Sequence, residues 1–358
     1  MHAATGSALV RYGWNDEHER AFEDVAAPGD HPARVAAEHR GGFVLYSEHG
    51  ELNAEITGKM RHEASGRGEL PAVGDWVVYR PADGGGRAMI HGILPRASKF
   101  SRSLAGDETV EQVLAANIDV IFLASALNQD LNVRRTERYL TMAWESGALP
   151  VIVLTKSDLC EDLAYAYEEF AAIAPGVAIH AVSGLEGEGL EELSAYLSEN
   201  RTVAILGSSG VGKSTLVNRL YGRELLAVRE IRDDGKGRHT TSHRQLVALP
   251  AGGLIIDTPG MRELQLWETE EGIDQTFEDI ADIATGCRFR DCAHESEPGC
   301  AVLRAIEAGE LAQNRLHSYR KLLRELSALE RKRDKRLASA ESKRWKVLNK
   351  DARQRARR

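Results

Sequence analysis

The sequence predicts three folded parts: a small antiparallel β-barrel, an α/β layer structure around a mostly parallel sheet, and a metal-tied helical end. Three observations carry this. Short segments of alternating polarity, separated by Gly-rich turns, fill the stretch from Ala33 to about Arg102. From about Val110, apolar strands alternate with longer helical stretches. Three of the four cysteines then fall between Cys287 and Cys300, followed by leucines at helical spacing.

Residues 1–30 read as a polar, irregular N-terminal extension that ends in the turn Pro28-Gly29-Asp30. Residues 31–105 form the barrel, with strands expected at Ala33–His39, Gly42–Ser47, Leu52–Thr57, Asp75–Tyr79 and Met89–Leu94. Five such strands close an OB-type barrel, whose exposed face suits single-stranded nucleic acid; an SH3-like barrel would give nearly the same pattern.

Residues 106–272 carry the α/β pattern. Buried strands are expected at Val120–Ala124, Val151–Leu154, Val177–Val182, Val203–Leu206 and Leu254–Asp257. Helices are expected at Arg134–Glu145, Glu161–Ile173, Leu190–Ser198 and Ser214–Tyr221. Residues 273–358 hold the Cys/His cluster, a helical region over Val302–Leu329 with Arg315, Arg320, Lys321 and Arg324 facing outward, and a basic tail.

The 358 residues are 42% hydrophobic and 28% charged, an ordinary soluble balance. Met1–Trp14 lacks a basic flank followed by an apolar stretch, and Val120–Ala126 and Leu149–Leu154 are too short to cross a bilayer. A cytoplasmic monomer with no membrane partner is expected. The net charge of −8 is unevenly spread: Arg315–Arg358 holds 17 Lys/Arg against 5 Asp/Glu, or +12, which leaves −20 elsewhere. An acidic body with a basic tail points to a polyanion such as nucleic acid, against the plainer reading of a solvated helix face.

Gly207-Ser208-Ser209-Gly210-Val211-Gly212-Lys213-Ser214 fits G-x-x-x-x-G-K-[ST], with an apolar strand before it and a helix opening at Thr215. Its glycines let backbone N–H groups converge on phosphate at a helix N-terminus. Lys213 is placed to reach the β- and γ-phosphates, and Ser214 to bind Mg²⁺. Asp257, at the end of an apolar strand, supplies the second metal element, and Gly260 an amide near the γ-phosphate.

Thr155-Lys156-Ser157-Asp158 follows a buried strand and resembles the [NT]-K-x-D guanine motif of G proteins. A carboxylate can accept both N1–H and the exocyclic amine of guanine, a pair adenine does not offer. The stem of Lys156 can cover the base, and Ser183 resembles the loop that supports guanine through backbone amides. These guanine elements precede the phosphate loop, the reverse of the usual order. The order, together with Glu111–Asn117, Gly237-Arg238-His239-Thr240-Thr241 and the Cys/His cluster, resembles the circularly permuted, ribosome small-subunit-dependent GTPase family (RsgA, also called YjeQ), from about Ala33 to about Val302.

Gly235–His243 reads as a mobile switch loop whose Thr240 or Thr241 completes Mg²⁺ coordination; the resemblance favours Thr241. Met261 stands where Ras-like proteins carry a water-orienting Gln, and a thioether cannot orient water. His239 is the candidate for that task, with RNA contact or loop capping as its other reading. Gly210 stands where some related GTPases place a cation-binding Asn, so potassium dependence is not expected.

Cys287, Cys292, His294 and Cys300, spaced C-x4-C-x-H-x5-C, suit a closed structural Zn²⁺ site. The resemblance implies a GTPase that docks on the small ribosomal subunit and its rRNA late in maturation and leaves on hydrolysis to GDP. The alternative is a GTP-regulated RNA-binding placeholder with little turnover. A permuted GTPase of the large subunit is remoter.

Overall fold

β1 (His31–His39) is the strand on which the two sheet systems meet. The computed structural model describes all residues except 1–5, 40, 83–85, 105–109, 129–131, 223–243, 258–269 and 328–358. One edge of β1 pairs with β2 (Gly42–Ser47), which leads to β3 (Gly50–Ile56). The other edge pairs at His31–Arg34 with β4 (Trp76–Arg80), and beyond an irregularity between Val35 and Ala37 it pairs through Ala37 with Gln245. β5 (Ala88–Ile93) joins β3 to β4, which closes the ring β1-β2-β3-β5-β4-β1 into the expected OB-type barrel. One pairing departs from the antiparallel expectation, since β3 and β5 run parallel. The core is the inward set Ala33, Val35, Leu45, Val77, Tyr79 and Ile90, which takes every second residue of β1 and β4, and the residues between them are covered as well.

Lys99–Leu104 (β6) and Val110–Ala116 (β7) form a separate two-stranded ladder that the sequence reading left out. Past it come β8 (Val120–Ala126), β9 (Leu149–Thr155), β10 (Ala178–Val182), β11 (Thr202–Gly207), β12 (Gln245–Ala248) and β13 (Leu254–Asp257). Their order in the sheet is β10-β9-β8-β11-β13-β12. All are parallel except β12, which runs against β13. β8 is buried along its whole length, as a strand covered on both faces should be.

The extension is not irregular. Asn15 accepts the N–H of Glu17 and of His18 at 3.1 Å and caps a helix over Asp16–Glu23. Leu9, Tyr12 and Trp14 are buried; Tyr12 stacks on Tyr46 at 4.5 Å and Trp14 meets Trp76 edge-on at 4.7 Å. Isolated aromatic anchors carry no periodicity, so sequence pattern could not reveal them.

The chain divides into two compact units, Met1–Ser101 with Val113–Leu264, and Arg102–Gln112 with Gln265–Arg358. In the second, helices Glu270–Thr276, Glu278–Ala284 and Ala301–Glu307 and a helix over 313–327 surround Phe277, Ile280, Val302 and Leu316. The single helical region expected over Val302–Leu329 is broken at Gly309, whose φ is 78°. Arg315 points inward rather than outward. It is 4% exposed, pairs with Asp279 at 2.9 Å, donates to the Thr276 carbonyl at 2.6 Å and lies over the Phe277 ring.

Candidate nucleotide site and metal centre

β9, β10, β11 and β13 are parallel, so Thr155, Val182, Gly207 and Asp257 emerge along one edge of the sheet. The order reverses at β8 and β11, a topological switch point where open α/β sheets place ligands. The phosphate-type loop leaves β11 there and enters the helix Lys213–Tyr221 (α7 in chain order). A Cβ on Gly207 would stand 2.7 Å from the Ala124 carbonyl, so no larger residue fits against β8. Gly212 caps the helix at φ 101°. Lys213 Nζ donates to the Gly207 and Ser208 carbonyls at 2.7 and 2.6 Å, which folds the ammonium over the loop.

The guanine-type motif is bound to this loop. Thr155, 4% exposed, donates from Oγ1 to the Val211 carbonyl at 2.5 Å. Lys156 then takes a left-handed conformation, φ 59° and ψ 42°, which turns the chain into the short Ser157–Leu159 helix carrying Asp158. Asp158 Oδ1 accepts a 2.6 Å bond from Ser183 Oγ. Ser183 is fully buried, and its hydroxyl also accepts the Glu186 N–H at 3.0 Å. The Thr155–Asp158 segment is thus bonded at one end to Val211, 56 positions on from Thr155, and at the other to Ser183. His239, Thr240, Thr241, Gly260 and Met261 lie outside the described residues, as does the Asp257 side chain.

In the second unit, His294 Nδ1 stands 3.6 Å from Cys287 Sγ and 3.4 Å from Cys300 Sγ, and the two sulfurs are 3.9 Å apart. Zinc bonds of about 2.3 Å to sulfur and 2.0–2.1 Å to nitrogen give tetrahedral edges of about 3.8 Å and 3.5 Å, so the cluster fits a four-ligand zinc site. Cys292 completes the set. Backbone N–H groups of Ala301 and Leu303 point at the Cys287 and Cys300 sulfurs at 3.3 and 3.4 Å, a second layer that favours thiolate. Burial opposes ionisation of Cys287, but the N–H groups of Ala301 and Val302 win and lower its thiol. Burial and then the neighbouring Cys300 and Cys287 push the Cys292 thiol up to about 11. Three thiolates together therefore need a cation, which Zn²⁺ supplies.

A family profile described as RsgA GTPase matches residues 93–267. Over 98% of this chain and 98% of its own length, a relative from Opitutus terrae, "Small ribosomal subunit biogenesis GTPase RsgA", is 46% identical. The chain belongs to the RsgA GTPase family. Another RsgA, from Lactiplantibacillus plantarum, is 50% identical over 82% of this chain and 83% of its own. Among solved structures, YjeQ from Thermotoga maritima matches with a TM-score of 0.64 at 29% identity, over 83% of this chain and 98% of that one. YloQ, described as a circularly permuted GTPase, matches with a TM-score of 0.60 at 25% identity, over 84% and 96%.

A second profile, 50S ribosome-binding GTPase, matches residues 202–336. It begins on the strand before Gly207, after Thr155–Asp158 has already passed, as a permuted order requires. Sequence reading of this RsgA-family chain missed the brace behind the guanine-type loop. Arg219, on α7, donates to the Gly184 carbonyl at 2.7 Å and also to that of Leu185. A Cβ on Gly184 would meet Thr215 at 2.9 Å. An arginine five residues past the P-loop serine carries no motif, so only packing reveals it.

Proposed function

We propose that this GTPase acts in the late maturation of the small ribosomal subunit: it binds the subunit and its rRNA as the GTP form and leaves after hydrolysis to GDP and phosphate. The name its relatives carry supports the target, and the Thr155–Val211 bond is the observation that carries the nucleotide site, because it joins the base-reading segment to the phosphate loop. Among the described residues no helix is long and apolar enough to cross a membrane; a cytoplasmic monomer is part of the proposal.

In this reading Asp158 accepts from guanine, Lys156 covers its face, and Ser157 and Ser183 shape the pocket. Gly207, Ser208, Ser209, Gly210, Val211, Gly212 and Lys213 surround the phosphates through backbone N–H groups and one ammonium. Ser214, with Thr215 behind it, and Thr241 or Thr240 hold the Mg²⁺ that travels with GTP; Asp257 supports that ion and Gly260 addresses the γ-phosphate. His239 orients the attacking water. The Cys287, Cys292, His294 and Cys300 set holds Zn²⁺ as a structural tie.

The test is the rate of GTP hydrolysis with small subunits, large subunits or neither, at physiological salt, since phosphate-driven binding misleads at low salt. Small subunits should stimulate turnover strongly and large subunits should not. Equal rates in all three would leave a placeholder and end the proposal.

A further inference from the structure

We infer that His31, Glu48 and His49 form a second divalent-metal site, on the barrel, of the two-histidine, one-carboxylate kind. His31 opens β1, and Glu48 with His49 makes the two-residue turn between β2 and β3, flanked by the Ser47–Gly50 pair. The turn is held independently of those side chains. Buried Ser47 donates from Oγ to the Gly50 carbonyl at 2.8 Å and accepts the His49 N–H at 3.2 Å. The His31 ring lies against Tyr79, centroids 5.7 Å apart. The barrel backbone therefore brings the three residues together.

The distances favour a metal over an ion pair. His31 Nδ1 and His49 Nε2 each stand 3.3 Å from the same oxygen, Glu48 Oε1, and all three donor atoms lie within 4.8 Å of one another. A charge-assisted hydrogen bond would close to about 2.7–2.9 Å. Metal bonds of about 2.0–2.1 Å to nitrogen and oxygen put adjacent tetrahedral donors about 3.3–3.4 Å apart. The same arithmetic reproduces the spacing at Cys287, His294 and Cys300.

The Glu48 side chain is 17% exposed, that of His31 33% and that of His49 74%. The site is thus closed towards the barrel and open beyond His49, leaving a position for water or an outside ligand. Nearby Asp30 does not compete, since its oxygens already accept from Arg80, His91 and the Ala27 N–H. Two imidazoles and a carboxylate select zinc and its first-row neighbours over Mg²⁺ or Ca²⁺. The bound ion would tie the start of β1 to the β2–β3 turn.

The test titrates Zn²⁺ by calorimetry into the full, tag-free, nucleotide-free chain already carrying zinc on its four-ligand cluster. Wild type should take one further equivalent at micromolar affinity. His49→Ala, at an exposed turn position, and Glu48→Gln should each bind that equivalent at least about tenfold more weakly. Their cluster zinc and intrinsic GTP turnover should stay unchanged, which separates ligand loss from misfolding. No further equivalent in wild type, or one that His49→Ala keeps at full affinity, overturns the inference.

Discussion

Tyr46 Oη donates a 3.0 Å hydrogen bond to the Leu246 carbonyl across 200 positions of sequence. Tyr46 sits on barrel strand β2 and Leu246 on β12 of the parallel sheet, and the Ala37–Gln245 pair runs beside them. β12 follows directly on the segment that carries His239 and Thr241, so the barrel grips the strand on which the switch candidate ends. Tyr46→Phe removes one buried bond and should cost about 1 kcal/mol. In a chain of 358 residues that lowers Tm by roughly 1–2 °C. Amide exchange at residues 245–248 should quicken, and subunit-stimulated turnover should fall while intrinsic turnover holds. Unchanged exchange at β12 would show that the bond bears no tension.

Arg34 is the second tie. Buried among Trp76 and the extension, it donates to the carbonyls of Gly74 at 3.1 Å, Tyr12 at 2.5 Å and Asn117 at 2.8 Å. Burial pulls its guanidinium down to about 10, against the pull of Asp119 and Asp75. Arg34→Met keeps much of the volume but leaves the Tyr12 and Asn117 carbonyls without that donor, while the Gly74 carbonyl keeps the Asn117 amide at 3.1 Å, and it should cost about 2–4 kcal/mol. Urea unfolding measures that loss. Limited proteolysis should cut residues 1–30 first, because the Tyr12 carbonyl is one of the two.

The nucleotide site predicts two graded losses. Thr155→Val leaves the Val211 carbonyl without its donor and should weaken GDP and GTP alike by about tenfold, or roughly 1.4 kcal/mol. Asp158→Asn presents an N–H where guanine itself donates, and should weaken guanine nucleotides by about a hundredfold or more without admitting ATP. Titration with fluorescent GDP, competed with ATP, reads both. An Asp158→Asn protein that kept GDP affinity would place the base elsewhere.

The motif-bearing parts of this fold were legible because each combines a period with a chemical constraint. Leu254–Asp257 was read to the residue, and the β11–α7 turn was fixed by its glycines. The Cys/His spacing foretold a cluster whose donors meet at zinc distances. What escaped depends on partners far along the chain. β12 is four residues long and antiparallel, with meaning only beside β13 and β1. Arg315 looked solvated because its acceptors, Asp279 and the Thr276 carbonyl, belong to two other helices. Arg219 and Tyr46 are ordinary residues until the Gly184 and Leu246 carbonyls are placed opposite them.

Glu297 gives the metal centre a pH signature. Its carboxylate accepts backbone N–H groups from Ala293 at 3.0 Å, Glu295 at 2.7 Å and Ser296 at 3.0 Å, which shapes the loop between His294 and Cys300. Hydrogen bonding from its own backbone N–H first, then from those of Ser296, Ala293 and Glu295, outweighs burial and holds it at about 2 against an ordinary 4.5. A depressed folded value stabilises above the unfolded one, so the contribution is complete above about pH 4.5 and vanishes as pH falls towards 2. Glu297→Gln keeps the size but loses the charge, and should give up zinc to a chelator faster than wild type. From neutral pH down to about 5 the gap between the two proteins should be flat, because the wild-type carboxylate is ionised in both states. A gap that instead narrowed steadily between pH 7 and 5 would assign the loop's order to another group. Removing the metal by chelation should raise amide exchange across Cys287–Cys300 and leave β8–β11 protected, since the zinc ligands all lie in the second unit.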